Sequence, residues 1–211
     1  MSVWVREYEG KVLEVSYDNP EIQPDPEEWI SVPDKLIPYV NTDYLVDEEG
    51  AVHPPSLEYL HQQLLSALAA LRWSYQQQPV PLAGKRYSAL PEDLSTLANT
   101  IKLGEDYEKS PINLQAIAED DADPEYPVFQ TNWKTLDGFI ALNLEGLRSI
   151  ARTLGMHVQA LFSNESRITE LVVLGETVDE KIDVYNAAII DRPWSVFLLP
   201  EPEPVAPEGS E

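Results

Sequence analysis

The sequence predicts an α+β protein, and three observations lead to that prediction. Near the start of the chain, two short runs of aromatic and β-branched residues flank Glu9-Gly10, which is typical of a β-hairpin. Residues 56–78 contain no Gly or Pro and carry leucines at three- and four-residue steps. A longer helical pattern follows a ribbon-like segment at 132–143. We therefore expect a small N-terminal β-hairpin module, a long amphipathic helix, and a helical domain with a short β-ribbon and a disordered acidic C-terminal tail.

Residues 1–52 are the predicted β-rich N-terminal module. Five prolines between positions 20 and 38 exclude a long helix there, because proline lacks the backbone donor that a helix interior needs. The stretch 29–32 predicts one short strand, and the Asp-Glu-Glu-Gly sequence at 47–50 predicts a second hairpin turn.

The connecting amphipathic helix is predicted over residues 56–78. Ser56 is a favourable N-cap residue, and the helix is expected to stop before Pro79. Its apolar residues form one continuous stripe: Leu57, Leu60, Leu64, Leu68, Leu71 and Tyr75.

Residues 79–199 are predicted to form an α+β domain. Its first part is expected to be extended around Pro79, Pro81 and Gly84. A helix is predicted from Pro91 to about residue 103, with Gly104 as its stop signal. The acidic stretch 119–123 is expected to be a solvated loop.

The second part of this domain holds the β-ribbon and the longest helix. The ribbon is expected to turn at Asp137-Gly138, and the helix to run from Asn143, its N-cap, to Leu174, with Gly175 as the stop. One stripe carries its apolar residues: Leu147, Ile150, Leu154, Val158, Leu161, Ile168 and Val172. Glu165 is the polar break in that stripe. The pattern at 178–190 leaves a helix and a strand open.

A Pro/Glu-rich tail at 200–211 is predicted to be disordered, since it has little apolar surface to bury. Before it, the segment 194–199 is a short apolar run.

Charge and composition limit the classes of function. The chain of 211 residues has 37 acidic residues against 14 Lys and Arg, a formal net charge of −23. Phosphate backbones and anionic lipid would be repelled, so binding to nucleic acid or to a membrane is not expected. There are no cysteines and no apolar run of signal-peptide or membrane-span length, which indicates a soluble protein made in a cytoplasm.

No catalytic, cofactor-binding or metal-binding site is expected. The three histidines, His53, His61 and His157, lack zinc-site spacing and are interpreted as helix-surface, loop or packing residues. The acidic clusters at 47–49 and 119–123 lack the EF-hand pattern, and neither a phosphate-binding loop nor a nucleophile elbow occurs. Glycoside hydrolysis by paired carboxylates stays open only because carboxylates are abundant.

Two groups of residues are therefore candidates for roles in architecture and in binding. Trp4, Trp29 and Tyr44 are candidate partner contacts, because Trp and Tyr are enriched at interfaces, although core packing of the same residues is equally open. The expected architectural centre comprises Trp133, Asp137, Gly138, Phe139, Leu147, Leu154 and Leu161.

The segment that begins NWKTLDGFIALN resembles a known family. It combines a Trp-Lys pair, an Asp-Gly turn and a helix carrying His-Val-Gln, an aromatic and a Glu: Trp133, Lys134, Asp137, Gly138, His157, Val158, Gln159, Phe162 and Glu165. This combination is similar to a domain of unknown function found in bacteriophage tail-fibre proteins and tail-fibre assembly chaperones. The resemblance covers residues 65–175 and, loosely, 1–50, and it does not extend over 176–211.

The resemblance implies an interaction protein without established catalytic residues. Tail-fibre assembly chaperones bind a trimeric fibre protein, often near its distal tip, in the host cytoplasm, and some remain on the virion tail. Self-association is a further possibility. The alternatives are a permanent structural component of the tail or baseplate and an acidic inhibitor that mimics nucleic acid.

Overall fold

In a computed structural model, residues 3–17, 29–110, 129–190 and Trp194 are described. Within these ranges the chain forms strands and helices in mixed order, which confirms the α+β prediction. The strands are β1 Trp4–Tyr8, β2 Lys11–Ser16, β3 Trp29–Ser31, β4 Leu45–Val46, β5 Val52–His53, β6 Val80–Leu82, β7 Lys85–Tyr87, β8 Gln130–Thr135 and β9 Gly138–Asn143. The helices are α1 Leu57–Gln76, α2 Pro91–Glu108, α3 Leu144–Leu174 and α4 Val178–Ile190. The predicted loop at 119–123 and tail at 200–211 lie outside the described residues.

The chain divides into two compact units, and each unit combines two separate stretches of sequence. The first unit takes residues 1–70 and 166–192, and the second takes 71–165 and 193–211. The divisions fall inside α1 and inside α3. The predicted segments are different: 1–52, 56–78 and 79–199 each form one continuous stretch of the chain.

The first unit contains a five-stranded antiparallel sheet with the strand order β3-β1-β2-β4-β5. The predicted turn at Glu9-Gly10 is confirmed: both residues have positive φ, at 53° and 75°, as the two-residue hairpin turn matching the strand twist requires. The predicted turn at 47–50 joins β4 to β5, and Asp47 Oδ1 accepts hydrogen bonds from the N–H groups of Glu49 and Ala51 at 3.1 and 2.7 Å.

Residues of α1, α3 and α4 supply the remaining buried positions of the first unit. Ser56 caps α1 as predicted, because its Oγ accepts a 3.0 Å hydrogen bond from the Tyr59 N–H. The buried side chains of this unit include Val3, Val5, Val12, Val32, Tyr44, Leu60, Leu64, Leu68, Ile168, Val172 and Ile182. Leu60, Leu64 and Leu68 of the predicted α1 stripe are thus buried in this unit, together with Ile168 and Val172 from the end of the α3 stripe.

The segment at 178–190 is a helix, which settles the open choice between helix and strand. A capping box begins α4: Thr177 Oγ1 accepts from the Glu180 N–H, and Glu180 Oε2 accepts from the Thr177 N–H, both at 3.2 Å. The helix packs on the turn at 34–40, where Tyr39 and Tyr185 meet edge to face at 6.3 Å. Lys35 Nζ forms an ion pair with Asp183 at 2.9 Å.

The second unit has a core built from the β6–β7 hairpin, α2, the β8–β9 ribbon and the first part of α3. Its fully buried members are Val80, Tyr87, Ala89, Leu97, Leu147, Ile150 and Leu154. Trp133 and Ile140 of the ribbon pack against this cluster and are partly buried. The predicted N-cap of α3 is confirmed, since Asn143 Oδ1 accepts from the Gly146 N–H at 2.9 Å.

Gly104 does not end α2, and the predicted stop signal is wrong. The helix continues to Glu108, and Gly104 is buried inside it. A Cβ at this position would lie 2.8 Å from Cδ1 of Phe129 and 3.0 Å from Cδ1 of Leu144. The glycine is there because two side chains pack directly on the helix backbone.

Glu165, the polar break in the apolar stripe of α3, forms an ion pair inside the second unit. Its Oε2 lies 2.7 Å from Nε of Arg72, and only 22% and 16% of the two side chains is exposed. Arg72 also donates a 2.9 Å hydrogen bond to Gln76 and lies 4.4 Å from the ring centroid of Phe162. Trp194, from the predicted apolar run at 194–199, is buried, and its ring stacks on Tyr75 with centroids 5.2 Å apart. The remainder of that run lies outside the described residues.

Candidate functional site

A cleft of about 470 Å³ lies in the second unit, between α2 and the β8–β9 ribbon. A volume of this size is typical of binding sites. We call it the α2–β8 cleft, and its lining residues are Tyr87, Ser88, Asp93, Thr96, Thr100, Thr131, Asn132, Trp133, Lys134, Thr135, Leu136 and Leu154. Helix α2 supplies one wall, and β8 from Thr131 to Thr135 supplies the other.

The α2 wall is polar. Asp93, Thr96 and Thr100 follow one another at three- and four-residue steps, which places them on one face of the helix. The hydroxyls of Thr96 and Thr100 each donate a 2.9 Å hydrogen bond to the carbonyl oxygen four residues earlier, so both oxygens can still accept. Within the described part of the chain, the Asp93 carboxylate forms no hydrogen bond or ion pair. This wall therefore offers oxygen acceptors to a ligand.

The opposite wall is a tight antiparallel ribbon. β8 and β9 pair from Gln130↔Asn143 to Thr135↔Gly138, with Leu136 and Asp137 as the two-residue turn. Thr135 Oγ1 donates to the Gly138 carbonyl at 2.8 Å and accepts from the Asp137 N–H at 3.1 Å. The predicted ribbon is thus confirmed, but its turn lies one residue earlier than the predicted Asp137-Gly138. Leu136 and Asp137 form the turn, and Gly138 is the first residue of β9, with a φ of 109°.

Asp137 also joins the ribbon to the β6–β7 hairpin. Its Oδ1 accepts from Nε and Nη2 of Arg86 at 2.9 and 2.7 Å, and its Oδ2 accepts from the Arg86 backbone N–H at 2.7 Å. The hydrogen bond from the Arg86 side chain is the main cause that lowers the pKa of Asp137. The same bond raises the pKa of Arg86. No local pattern in the sequence indicates this pair, because the two residues lie 51 positions apart.

The register of the ribbon shows which backbone groups of β8 face away from β9. Because the turn has two residues, Thr135 and Gly138 must exchange the closing pair of backbone hydrogen bonds. The alternation then points the N–H and C=O groups of Asn132 and Lys134 toward the outer edge. The Leu136 N–H agrees with this alternation, since it donates a 3.0 Å hydrogen bond to the Arg86 carbonyl on the outer side.

The outer edge of β8 opens into the cleft. Tyr87 and Ser88, which follow Arg86 in the chain, line the cleft beside Asn132 and Lys134. In the described residues no strand other than β9 pairs with β8. Among the described residues, the cleft thus presents a strand edge whose backbone groups have no strand partner on one side, and side-chain acceptors on the other.

Comparison with known proteins gives one match. The family model of a domain of unknown function (DUF4376) matches residues 60–188, more than half of the chain. The chain belongs to the DUF4376 family. No curated protein and no solved structure matches it.

The DUF4376 match contains the whole α2–β8 cleft, whose lining residues run from Tyr87 to Leu154. The candidate partner contacts Trp4, Trp29 and Tyr44 lie before the matched region. The cleft is therefore part of the family domain, and the strands of the N-terminal sheet lie before the matched residues.

Most of the expected architectural residues lie where they were predicted. Leu147, Leu154 and Leu161 are buried on α3, and Trp133 packs against the core. Phe139 is an exception, because 70% of its side chain is exposed. It pairs with Lys134 across the ribbon, on the face opposite to the Trp133–Ile140 pair, so strand alternation turns it outward.

The three candidate partner contacts differ in how deeply they are buried. Tyr44 is completely buried, and its hydroxyl donates to Gln63 Oε1 at 2.9 Å, so it is a core residue and not an available contact. Burial also raises its pKa. Trp4 and Trp29 are partly buried on neighbouring strands, and the Arg6 guanidinium lies 6.0 Å from the Trp29 ring. For these two, contact with a partner stays a prediction.

The described residues contain no group of three His, Asp or Glu side chains that could hold a metal ion. His157 is completely buried on α3, and burial lowers its pKa. None of the helices in the described ranges is long and apolar enough to cross a membrane.

Proposed function

We propose that this DUF4376 protein is a bacteriophage tail-fibre assembly chaperone that binds the fibre protein, near its distal tip, and assists its folding or trimerisation. It acts by binding and not by turnover, in the cytoplasm of the host cell. The observation that carries the proposal is the position of Trp133 and Lys134. These two residues belong to the pattern that resembles phage tail proteins, and both line the α2–β8 cleft.

The physical requirements of fibre assembly support this role. A trimeric β-rich fibre exposes strand edges and apolar faces before its chains close on one another, and such surfaces aggregate. A partner must cover them without aggregating itself. The net charge of −23 keeps this chain soluble, and the cleft offers an edge that can pair with an extended chain.

Co-expression with the fibre protein encoded next to this chain tests the proposal. We expect the yield of soluble fibre trimer to rise severalfold over expression of the fibre protein alone. A second control replaces this chain with an unrelated acidic protein of similar size, which should leave the yield unchanged. An equal trimer yield with and without this chain would overturn the proposal.

A permanent place in the tail or baseplate is the second candidate. Its test is the amount of this chain in purified virions: a fixed ratio to the fibre protein supports a structural component, and its absence supports a chaperone that leaves. The acidic inhibitor is the third candidate, and the net charge of −23 favours it. It requires salt-sensitive binding to a basic host protein in place of the fibre protein.

A further inference from the structure

We propose that the α2–β8 cleft binds an extended segment of the fibre protein as an additional β-strand on the outer edge of β8. This inference rests on the proposed function for the identity of the partner, and it names the atoms and the mode of binding. The incoming segment pairs with the backbone N–H and C=O groups of Asn132 and Lys134.

The direction in which the backbone N–H and C=O groups of β8 point is the first reason. The groups of Asn132 and Lys134 point away from β9, and the next outward group on the same edge, the Leu136 N–H, is already bonded to the Arg86 carbonyl at 3.0 Å. One position of this edge thus already donates a backbone hydrogen bond to a neighbouring segment, at the Arg86 carbonyl. Lys134 and Asn132, which precede Leu136 on the same edge, face the cleft, where an extended polypeptide can continue the pairing.

The α2 wall is the second reason, because an extended segment has a second side that needs hydrogen-bond partners. The carboxylate of Asp93 and the hydroxyl oxygens of Thr96 and Thr100 face the cleft across from β8. They can accept from side chains of the segment, and Asp93 favours a Lys or Arg among them. The net charge of the chain favours the same partner charge.

Proline substitutions on the two strands of the ribbon test the inference. Asn132 and Ala141 are a directly opposed pair whose N–H groups point to opposite edges, so proline at either position removes no β8–β9 hydrogen bond. We expect Asn132→Pro to weaken binding to the fibre protein about tenfold, because it removes one donor and obstructs the incoming strand. Ala141→Pro is the matched control on the other edge, and Asn132→Ala is the control for the side chain; both should bind like the unaltered chain.

A second pair of variants fills the cleft from α2 and does not alter the ribbon. Thr96→Trp places a large side chain in the cleft and should also weaken binding about tenfold. Ser95→Trp is its control, since Ser95 is an exposed neighbour on the same helix that does not line the cleft. Thermal unfolding of all variants identifies any that fail to fold.

The outcomes separate the two proposals. If Asn132→Pro binds the fibre protein as tightly as Ala141→Pro does, strand addition is overturned. The chaperone role is then left intact. Weak binding by Thr96→Trp alone would also overturn it, because the cleft would then be occupied without backbone pairing. If the unaltered chain does not bind the fibre protein, the proposed function fails, and the inference fails with it.

Discussion

The carboxylate of Asp137 accepts three hydrogen bonds from Arg86, two from the guanidinium and one from the backbone N–H, at 2.7–2.9 Å. This pair holds the tip of the β8–β9 ribbon against β7. Beyond this pair, Lys134 and Asn132 on the outer edge of β8 line the α2–β8 cleft. Asp137 was expected to act through its turn alone, and its contact with Arg86 joins the ribbon to β7 as well.

The contribution of Asp137 to stability should depend on pH. Its pKa is lowered in the folded chain, so the folded state favours the ionised carboxylate, and the resulting stabilisation is present above the ordinary aspartate pKa. As the pH falls through the lowered pKa, the carboxylate becomes protonated and this contribution is lost.

Urea unfolding of the unaltered chain and of Asp137→Asn at two pH values checks this prediction. We expect Asp137→Asn to be less stable at pH 7, and the difference to shrink at about pH 2.5, which is below the usual pKa of aspartate. Asp106→Asn is the control, because Asp106 is exposed and its carboxylate forms no hydrogen bond or ion pair with another described residue. An equal deficit at both pH values would contradict the assigned role.

Two glycines on helices should respond in opposite ways to alanine. Gly104→Ala brings a Cβ within 3.0 Å of Phe129 and Leu144, and the clash should cost about 1–3 kcal/mol, more than the gain in helix propensity. Gly155→Ala meets nothing within 4 Å on exposed helix, so it should stabilise by about 0.5–1 kcal/mol. Denaturant titration of both variants measures this, and stabilisation by Gly104→Ala would show that the helix does not need the close approach.

The partly buried ion pair of Arg72 and Glu165 should appear as a coupling energy. Arg72→Met leaves the Glu165 carboxylate without its cation, and we expect a loss of about 1–3 kcal/mol in the free energy of unfolding. Glu165→Gln should cost less in the Arg72→Met background than alone, by about 1 kcal/mol. A double-mutant cycle gives this value, and additive losses would mean that the two charges do not interact.

Trp133 and Phe139 should differ because strand alternation places them on opposite faces of the ribbon. Trp133→Ala removes a ring packed on the core of the second unit and should destabilise by about 2–3 kcal/mol. Phe139→Ala removes an exposed ring and should change stability by less than about 0.5 kcal/mol. A large loss for Phe139→Ala would argue that its ring is covered in solution.

The parts of the fold that depend on neighbouring residues could be predicted from the sequence. The turn at Glu9-Gly10 and the N-caps Ser56 and Asn143 each follow from local backbone chemistry. The β8–β9 turn was predicted one residue too late, because Gly138 begins β9 and does not lie in the turn. The helix stripes follow from periodicity, since the repeat determines which residues share a face.

The parts that depend on distant residues could not. Gly104 has the local sequence of a stop signal, and only the packing of Phe129 and Leu144 on it explains why the helix continues. The Arg86–Asp137 pair joins residues 51 positions apart, and nothing near either residue indicates the other. The sequence therefore pointed to Trp133 and Lys134 without showing the strand edge that they belong to.

Amide hydrogen exchange on the complex with the fibre protein tests the central claim most directly. Strand addition predicts that the N–H groups of Asn132 and Lys134 exchange more slowly when the fibre protein is bound, because they become hydrogen-bonded. The N–H of Ala141, on the opposite edge of the same ribbon, should exchange at the same rate in both states. Unchanged exchange at Asn132 and Lys134 in a complex that forms would contradict the account.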